Sequence, residues 1–189
     1  CSGADSGRFK DVDCGNYKKD LPIDRLQEDV LLAYEMNYAP LPTEHGFPVR
    51  MVVPGFYGTN SVKWLTRIEL ARTRATGPFT TRWYNDPVLG ADGKPTGETR
   101  PVWAVAPEAI IVAPSDTSAP TPGEATNIWG WAWGDVPIVR VDISTDGGGT
   151  WSSAELEPRG GRLWQKFHLP WTPRAGSHYE IRARATNAA

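Results

Sequence analysis

Short segments in which apolar and polar residues alternate recur through the second half of the chain, and they restrict the fold more than any other feature. The alternation is cleanest at 138–145 and at 178–186. Residues two apart in a strand lie on the same face, so each segment has one apolar and one polar face. The run Asp-Gly-Gly-Gly at 146–149 supplies a turn in which glycine permits left-handed backbone. This pattern predicts an antiparallel β-sandwich.

Tryptophans spaced two residues apart lie in the same region. Trp129, Trp131 and Trp133 share one face of the strand that is predicted at 127–133. Large aromatic side chains are mostly buried, so we expect this face to be buried in the sandwich core or in a subunit interface. A platform that stacks on a ligand is the alternative interpretation. Further strands are predicted at 110–112, 150–156 and 163–169.

Composition excludes several classes of protein. The chain has 189 residues, of which 40% are hydrophobic and 22% charged, and its formal net charge is -2. This balance predicts no nucleic-acid partner. No apolar run approaches the roughly 20 residues that a membrane span requires, and the first residues lack the pattern of a signal peptide. Because the chain opens on Cys1 rather than on methionine, we expect it to be a fragment.

Two cysteines, Cys1 and Cys14, are present. A thiolate metal site needs a close pair of cysteines and further ligands, so no metal-binding residue is predicted. A disulfide between them is one possibility, and two free thiols are the favoured state.

The first half of the chain has a weaker pattern. Glycines and aspartates predict a loop at 2–16, and a short helix is expected to begin within 21–26. The apolar run at 30–36 is typical of a strand buried on both faces. A polar connection with one hairpin is predicted at 71–100, followed by a strand at 100–105.

The run from His45 to Leu65 contains three groups that bind anions well. Val49, Met51 and Val53 alternate with other residues, and a second apolar segment begins at Val62 after a Gly/Asn-rich connection.

The imidazole of His45, the guanidinium of Arg50 and the ammonium of Lys63 lie on this strand–loop–strand unit. We expect the turn at Pro54-Gly55 to bring them to one concave surface, where they suit a multiply charged anion. A solvated hairpin is the simpler alternative.

These runs resemble a known family. Residues 45–65, preceded by Leu-Leu-Ala-Tyr-Glu-Met-Asn at 31–37 and Pro-Leu-Pro-Thr-Glu at 40–44, are similar to the molybdopterin-binding domain of the sulfite oxidase family. Trp-Ala-Trp at 131–133, with Val-Arg-Val-Asp-Ile-Ser-Thr-Asp-Gly-Gly at 139–148, resembles the immunoglobulin-like dimerisation domain that follows it.

The resemblance implies a mainly β fold with short helices. An α+β part of the molybdopterin domain is expected at 1–106, and an immunoglobulin-like β-sandwich, truncated at its C-terminus, at 107–189. The family places glycine after Asn37, where this chain has Tyr38. Because tyrosine resists positive φ, we expect a different turn there.

The resemblance also implies roles for individual residues. The expected catalytic residues are Tyr84, which would donate a hydrogen bond to a substrate oxygen, and its companion Arg82. The expected cofactor-binding residues are Asp5, His45, Arg50, Ser61, Val62 and Lys63. The family's molybdenum-binding cysteine lies upstream of the matched region, so Cys1 is not predicted to be that ligand.

Ordinary structural roles remain open for the same residues. Arg50 and Lys63 can be surface charges, and His45 can be a loop histidine with satisfied hydrogen bonds. Asp5 can serve a turn or a helix cap, as aspartate often does, and Tyr84 can be a partly buried structural residue.

The implied reaction is the oxidation of sulfite, or of a similar small oxo substrate, to sulfate by oxygen-atom transfer. It uses a molybdenum–molybdopterin cofactor in the full-length parent, and we expect this chain alone to be inactive. The implied partners are a small anionic substrate, a second copy in a homodimer and an electron acceptor such as a cytochrome, and the expected location is periplasmic or otherwise extracytoplasmic. A non-catalytic binding or dimerisation module is the alternative.

Overall fold

The computed structural model describes residues 1–27, 29–115 and 117–188. The chain divides into two compact units, Cys1–Ala104 and Val105–Ala189. Both units are built mainly from antiparallel strands, which confirms the predicted β-rich fold class. Within the described ranges, every helix is too short or too polar to span a bilayer.

The first unit combines small sheets with short helices. Its strands are β1 (Ser2–Phe9), β2 (Val12–Lys18), β3 (Leu31–Ala33), β4 (Glu35–Met36), β5 (Ala39–Pro40), β6 (Arg50–Val52), β7 (Leu65–Arg67), β8 (Asn85–Leu89) and β9 (Pro95–Pro101). Its helices are α1 (Pro78–Thr81) and the 3-10 helices Asp24–Gln27, Thr43–His45 and Gly58–Asn60. One sheet has the order β2-β1-β7, and the other strands pair as β3-β6, β4-β5 and β8-β9.

The loop predicted at 2–16 is wrong, because β1 and β2 form a hairpin there. Its turn places Lys10 and Asp11 at φ values of 46° and 63°, in the left-handed region. Ser2 and Gly3 also pair with β7, about sixty residues later in the sequence. Pairing with a distant strand therefore outweighs the weak strand propensity of glycine and aspartate.

The segment at 30–36 was predicted to form one strand buried on both faces, and this prediction is also wrong. The segment divides into β3 and β4, and Leu31 is 56% exposed, with Leu32 and Tyr34 similarly open. β4 and β5 then form a two-residue hairpin in which Asn37 and Tyr38 have φ values of 53° and 63°. The expectation of a different turn is therefore wrong as well: the tight turn persists with a fully exposed tyrosine in left-handed backbone.

The polar connection at 71–100 contains the single predicted hairpin, β8–β9. Helix α1 precedes it and begins with Pro78 in the first turn, where the missing N–H costs nothing. The strand predicted at 100–105 is largely wrong, because β9 ends at Pro101. Beyond it, Ala104 forms an isolated β-bridge with Phe56.

The second unit is a β-sandwich. Its strands are β10 (Glu108–Ala113), β11 (Thr126–Trp133), β12 (Ile138–Ser144), β13 (Ser152–Ser153), β14 (Glu155–Leu156), β15 (Gln165–Trp171) and β16 (Arg182–Asn187). The two sheets have the orders β10-β11-β15-β14 and β13-β12-β16. The segment predicted as one strand at 150–156 is thus two short strands, one in each sheet.

The sandwich core consists of apolar side chains from both sheets. Its fully buried members are Ile128, Ala132, Ile138, Val141, Ile143 and Phe167. The glycine turn after β12 has the expected geometry, with Gly147 and Gly148 at φ values of 72° and 103°. Asp146 accepts hydrogen bonds from the Ser144 and Thr150 hydroxyls, each at 2.7 Å, which closes this turn.

Of the two locations expected for the face formed by Trp129, Trp131 and Trp133, the sandwich core is wrong and the subunit interface stays a prediction. Ile128, Gly130 and Ala132 form the core face of β11, and the three indoles lie half-buried on the opposite face. A Cβ at Gly130 would meet the carbonyl oxygen of Ile110 and lie 2.7 Å from the Phe167 ring. Position 130 on the inner face of β11 therefore has no room for a side chain, because Phe167 and the backbone of β10 occupy the space beside it.

Candidate functional site

Three consecutive backbone carbonyls in the 3-10 helix Thr43–His45 accept hydrogen bonds from side chains elsewhere in the first unit. The Thr43 oxygen accepts from Trp64 Nε1 at 2.9 Å, the Glu44 oxygen from Lys63 Nζ at 2.9 Å, and the His45 oxygen from Arg50 Nη1 at 3.2 Å. The Thr43 oxygen also accepts from Gly46 N at 3.0 Å, whereas the contacts of Lys63 and Arg50 pair carbonyls at the C-terminal end of the helix, where a short helix supplies few backbone donors. The loop that carries His45 is therefore held by the two cations themselves.

Backbone pairing explains why Lys63 returns to this loop. Met51 N donates to the Val62 oxygen at 2.8 Å, and Leu65 N donates to the Val49 oxygen at 2.9 Å. Gly46 packs against the returning chain, since a Cβ there would lie 2.9 Å from the Cβ of Lys63.

The helix ends at Gly46 with a φ of 106°, a conformation that glycine adopts easily. The structure thus brings His45, Arg50 and Lys63 together. We call these three residues and Gly46 the cation loop.

Ser61 and Val62 support Lys63 through the backbone. The Ser61 hydroxyl accepts a hydrogen bond from Val53 N at 3.1 Å, and the Val62 side chain is buried. Asp5 lies in β1 beside them: a Cβ at Gly3 would lie 2.7 Å from Asp5 Oδ1 and would also meet the backbone oxygen of Lys63. The carboxylate of Asp5 itself is solvent-exposed.

The donors of the cation loop are not all used within the protein. Arg50 Nε is buried and has no hydrogen-bond partner. Lys63 carries three N–H donors, and one hydrogen bond, to the Glu44 oxygen, is formed. An unpaired buried donor costs on the order of 1–3 kcal/mol.

This donor set fits an anionic group rich in acceptors, such as the phosphate and pterin of a molybdopterin cofactor. Among the described residues, no group of three or more His, Cys, Asp and Glu side chains is placed to hold a metal ion. Cys1 and Cys14 are both free thiols, as expected.

Tyr84 and Arg82 lie in a different cluster, after helix α1. Tyr84 has a φ of 58° and is 44% exposed, and its ring stacks on Phe79 at 6.4 Å between centroids. Arg82 is exposed and lies over the ring of its neighbour Trp83, 5.7 Å from the centroid. Neither Tyr84 nor Arg82 shares a hydrogen bond or ring contact with the cation loop in the described part of the chain.

Comparison with known proteins decides the family. Residues 1–79 match the family model of the oxidoreductase molybdopterin binding domain, and residues 100–184 match that of the Mo-co oxidoreductase dimerisation domain. The chain belongs to the sulfite oxidase family of molybdopterin-dependent oxidoreductases. The chain is 39% identical over 175 residues to mitochondrial sulfite oxidase of Rattus norvegicus. This match covers 82% of this chain and 31% of the rat protein.

Other members of the family have different names. The NAD(P)H nitrate reductase of Hordeum vulgare is 34% identical over 145 residues, covering 68% of this chain and 16% of the barley protein. The crystal structure of the sulfane dehydrogenase SoxCD from Paracoccus pantotrophus matches with a TM-score of 0.75 and 29% identity, covering 99% of this chain and 45% of that chain. The chain thus spans about a third of the length of the rat sulfite oxidase.

Sequence reasoning missed two residues beside Tyr84. The Tyr17 hydroxyl donates to the Thr59 oxygen at 2.6 Å, and burial raises the pKa of Tyr17, with further contributions from Tyr84 and Asp5. Lys19 is 2% exposed, and burial lowers its pKa. Two adjacent lysines, such as those at 18 and 19, are typical of a solvated surface. The local sequence therefore does not indicate that one of them is buried.

Proposed function

We propose that the complete protein to which this chain belongs oxidises sulfite, or a closely similar small sulfur oxyanion, to sulfate with a molybdenum–molybdopterin cofactor. The observation that carries the proposal is the cation loop, where Arg50 and Lys63 converge with spare hydrogen-bond donors on one turn. A cofactor that carries a phosphate and an anionic substrate both require such positive charge. The similarity to sulfite oxidases supports sulfite as the substrate.

In this proposal the cation loop and its supports hold the cofactor. Arg50 and Lys63 would hold the phosphate through their positive charges, and His45 would add a donor from the adjacent turn. Ser61 and Val62 keep the backbone that presents Lys63 in place. Asp5 supplies an acceptor for a pterin N–H from the neighbouring strand β1. When bound, the cofactor supplies the oxygen-atom transfer and takes up two electrons.

Tyr84 and Arg82 act on the substrate in this proposal. The Tyr84 hydroxyl donates a hydrogen bond to a sulfite oxygen, and its partial exposure leaves it accessible. Arg82 is exposed two residues earlier and adds a positive charge for the anion. Orientation of the substrate by fixed donors accelerates the reaction without contributing to the retention of the cofactor.

The net reaction releases electrons that need an acceptor. Sulfite gains one oxygen atom that comes ultimately from water, and two protons and two electrons are released for each sulfate. We propose that the electrons pass to a haem protein such as a cytochrome. The chain contains two cysteines, Cys1 and Cys14, thirteen positions apart, so it lacks the Cys-x-x-Cys-His spacing of covalent haem attachment.

Two substitutions in the complete holoenzyme test the assignments. Losing the charge-assisted contacts of Arg50 in Arg50→Ala should weaken cofactor binding by roughly ten- to a hundredfold, equivalent to about 1.5–3 kcal/mol. Tyr84→Phe should leave molybdenum content near that of the parent and slow sulfite turnover. Metal analysis beside steady-state rates separates the two effects, and Arg72→Ala, an exposed arginine outside the cation loop, is the matched control.

Each assignment has a result that contradicts it. Full cofactor content in Arg50→Ala would refute the cofactor role of Arg50, and undiminished turnover in Tyr84→Phe would refute the substrate role of Tyr84. A non-catalytic module is the second candidate function, and absence of both bound molybdenum and turnover in the complete protein would favour it. Faster turnover of a sulfane or nitrate substrate than of sulfite would replace the proposed substrate.

We also propose a homodimer that forms through the second unit. The outer tryptophan face of its larger sheet consists of Ile110, Trp129, Trp131, Trp133 and Trp164. Ile110 and Trp164 are 51% and 54% exposed, and Trp164 stacks on Trp133 at 4.3 Å. Large exposed apolar patches mark interaction sites, and a match to a dimerisation domain supports a second copy as the partner.

Sedimentation of single-site variants tests this interface. Ile110→Lys should shift the complete protein from dimer to monomer, because it places a charge beside Trp131 on the outer tryptophan face. Val139→Lys is the matched control, since Val139 is equally exposed but belongs to the other sheet. Dissociation by Val139→Lys, with a stable dimer in Ile110→Lys, would assign the interface to the other sheet.

A further inference from the structure

Lys19 occupies an unusual position for a lysine. It follows strand β2 directly, is 2% exposed, and its Nζ donates a hydrogen bond to the Phe79 oxygen at 3.0 Å. The same ammonium lies 5.1 Å from the centroid of the Tyr84 ring. Lysines are almost never fully buried unless they are paired, so a buried lysine that makes these two contacts requires an explanation.

The surroundings of Lys19 hold it in one place. Its backbone N donates to the Cys1 oxygen at 3.0 Å, and the hydroxyl of the buried Thr80 donates to the Lys18 oxygen at 3.1 Å. Asp20, the next residue, accepts two hydrogen bonds from Arg74 at 2.8 and 3.1 Å. Burial lowers the pKa of Lys19, and the charge of Asp20 raises it. The backbone of Lys19 is thus held by Cys1, and each neighbouring residue is held by its own hydrogen bonds.

Tyr84 has an uncommon backbone conformation that other residues hold in place. A φ of 58° is uncommon for a residue other than glycine. The turn is held by Asn85 Nδ2, which donates to the Thr80 and Trp83 oxygens, and by Val102 N, which donates to the Tyr84 oxygen. These contacts fix the backbone of Tyr84 and leave its ring direction to be set by side-chain contacts.

Two contacts set that direction. The ring stacks on Phe79 on one side, with planes 28° apart, and the Lys19 ammonium lies over the ring. A cation within about 6 Å of a tyrosine centroid is attracted to the ring face, and the attraction is larger where water is excluded. The hydrogen bond from Lys19 to Phe79 ties the cation to the residue on which the ring stacks.

We propose that Lys19 is a positioning residue that holds the ring of Tyr84 in the orientation that presents its hydroxyl to the substrate. The statement that the Tyr84 hydroxyl faces the substrate rests on the proposed function. The orientation itself depends on contacts within the first unit alone. Lys19 acts through Tyr84 and has no contact with the cation loop among the described residues.

Lys19→Met in the complete protein is the primary test, because methionine keeps a flexible apolar stem and removes the ammonium. Lys19→Gln is the second variant, which keeps a donor for the Phe79 oxygen and removes the charge. Thr80→Val is the matched control: it also removes one hydrogen bond from a buried side chain here, without touching the Tyr84 ring. Incorporation of 3-fluorotyrosine reports ring environment by fluorine NMR without cofactor, and loss of a signal in Tyr84→Phe assigns the Tyr84 resonance.

Both lysine variants should shift the Tyr84 resonance, and Thr80→Val should leave it in place. In the holoenzyme, Lys19→Met should lower kcat by about three- to tenfold, with unchanged molybdenum content, and this loss should vanish in a Tyr84→Phe background. An unmoved Tyr84 resonance in the lysine variants, or an equal shift in Thr80→Val, would overturn the inference.

The closing comparison separates this inference from the proposed function. Should Tyr84→Phe retain full turnover while Lys19→Met shifts the Tyr84 resonance, the substrate role of Tyr84 fails and the positioning of its ring by Lys19 stands. Should Tyr84→Phe slow turnover while the resonance stays unmoved in Lys19→Met, the substrate role stands and the positioning inference fails.

Discussion

The two units of this chain are stabilised in different ways. In Val105–Ala189, the buried apolar side chains form one contiguous cluster between two sheets. In Cys1–Ala104, the described residues with fully buried apolar side chains are Leu41, Met51, Val53 and Val62, and they are accompanied by Lys19, Arg25, Asn60 and Thr80. The first unit thus buries as many polar side chains as large apolar ones.

This difference is consistent with the functions proposed for the two units. A sandwich that serves as an assembly surface needs little more than a stable core, and its strands alternate accordingly. A site for an anionic cofactor needs cations and donors held in fixed directions, and these groups must be paired with backbone carbonyls wherever they are buried. Perturbations should therefore act mainly through apolar packing in the second unit and mainly through hydrogen bonds in the first.

The largest loss of folding stability is expected from Phe167→Ala in the second unit. Phe167 is fully buried and packs over Gly130, so its removal leaves a cavity between the sheets. Such truncations cost about 3–5 kcal/mol. Hydrogen exchange should show lost protection across β11 and β15 and little change in β1 and β2. Leu163→Ala, at an exposed position, is the control, and an equal loss of stability there would contradict the comparison.

A smaller effect is expected from Asn60→Ala in the first unit. Asn60 is fully buried, and its Nδ2 donates to the Tyr57 oxygen at 3.0 Å and the Trp103 oxygen at 3.4 Å. Both carbonyls keep a backbone hydrogen bond, from Asn60 N to the Tyr57 oxygen and from Tyr57 N to the Trp103 oxygen, so losing the two amide bonds should cost about 0.5–1.5 kcal/mol each. Urea unfolding monitored by exchange in the first unit measures this loss. Thr66→Ala removes an exposed hydrogen bond to the Ser2 oxygen and should cost less; an equal cost would show that burial does not decide the effect.

Tyr38→Gly should stabilise the first unit. Tyr38 is fully exposed at a φ of 63°, so glycine relieves backbone strain and sacrifices no packing. Relief of left-handed strain contributes about 1 kcal/mol, partly offset by the greater freedom of glycine in the unfolded chain. Thermal unfolding provides the measurement. Asn37→Gly should gain less, because asparagine tolerates this backbone, and a loss of stability in Tyr38→Gly would mean that the tyrosine ring contributes to packing.

The smallest effect concerns acid stability and involves one carboxylate in each unit. Burial raises the pKa of Asp20, but hydrogen bonds from Arg74 and Ala75 outweigh it and lower that pKa below the model-peptide value of 3.8. Hydrogen bonds from the Thr150 backbone and from the Ser144 and Thr150 hydroxyls lower the pKa of Asp146.

A lowered folded-state pKa contributes stability that is present above about pH 4 and is lost as the pH falls through the folded value. Stability of both units should therefore decline below that pH. Asp20→Asn should flatten this dependence in the first unit and Asp146→Asn in the second, as measured by unfolding at pH 2–6. An unchanged slope in either variant would remove that carboxylate from the explanation.

The cation loop and the contact between Lys19 and Tyr84 differ in how far they could be predicted from the sequence. Met51 and Val62 pair through the backbone, so the alternation at 49–53 and the turn after it placed Arg50 and Lys63 on returning segments. The roles of these two residues stay predictions. Lys19 has no local pattern that distinguishes it from Lys18, because its burial arises from helix α1, some sixty residues later in the chain. When a residue is buried by a distant segment, the sequence on either side of it does not indicate the burial.

The sequence by itself determined the strands of the sandwich, its glycine turn and the segment that carries the cation loop. These features depend on local alternation and on the backbone freedom of glycine, both of which are properties of neighbouring residues. Only the tertiary structure decided which face of β11 lies inside, that residues 2–9 form a strand, and that Lys19 lies over the Tyr84 ring. Alternation defines two faces of a strand equally well, and the choice between them depends on the side chains, such as Phe167, that fill the space on one side.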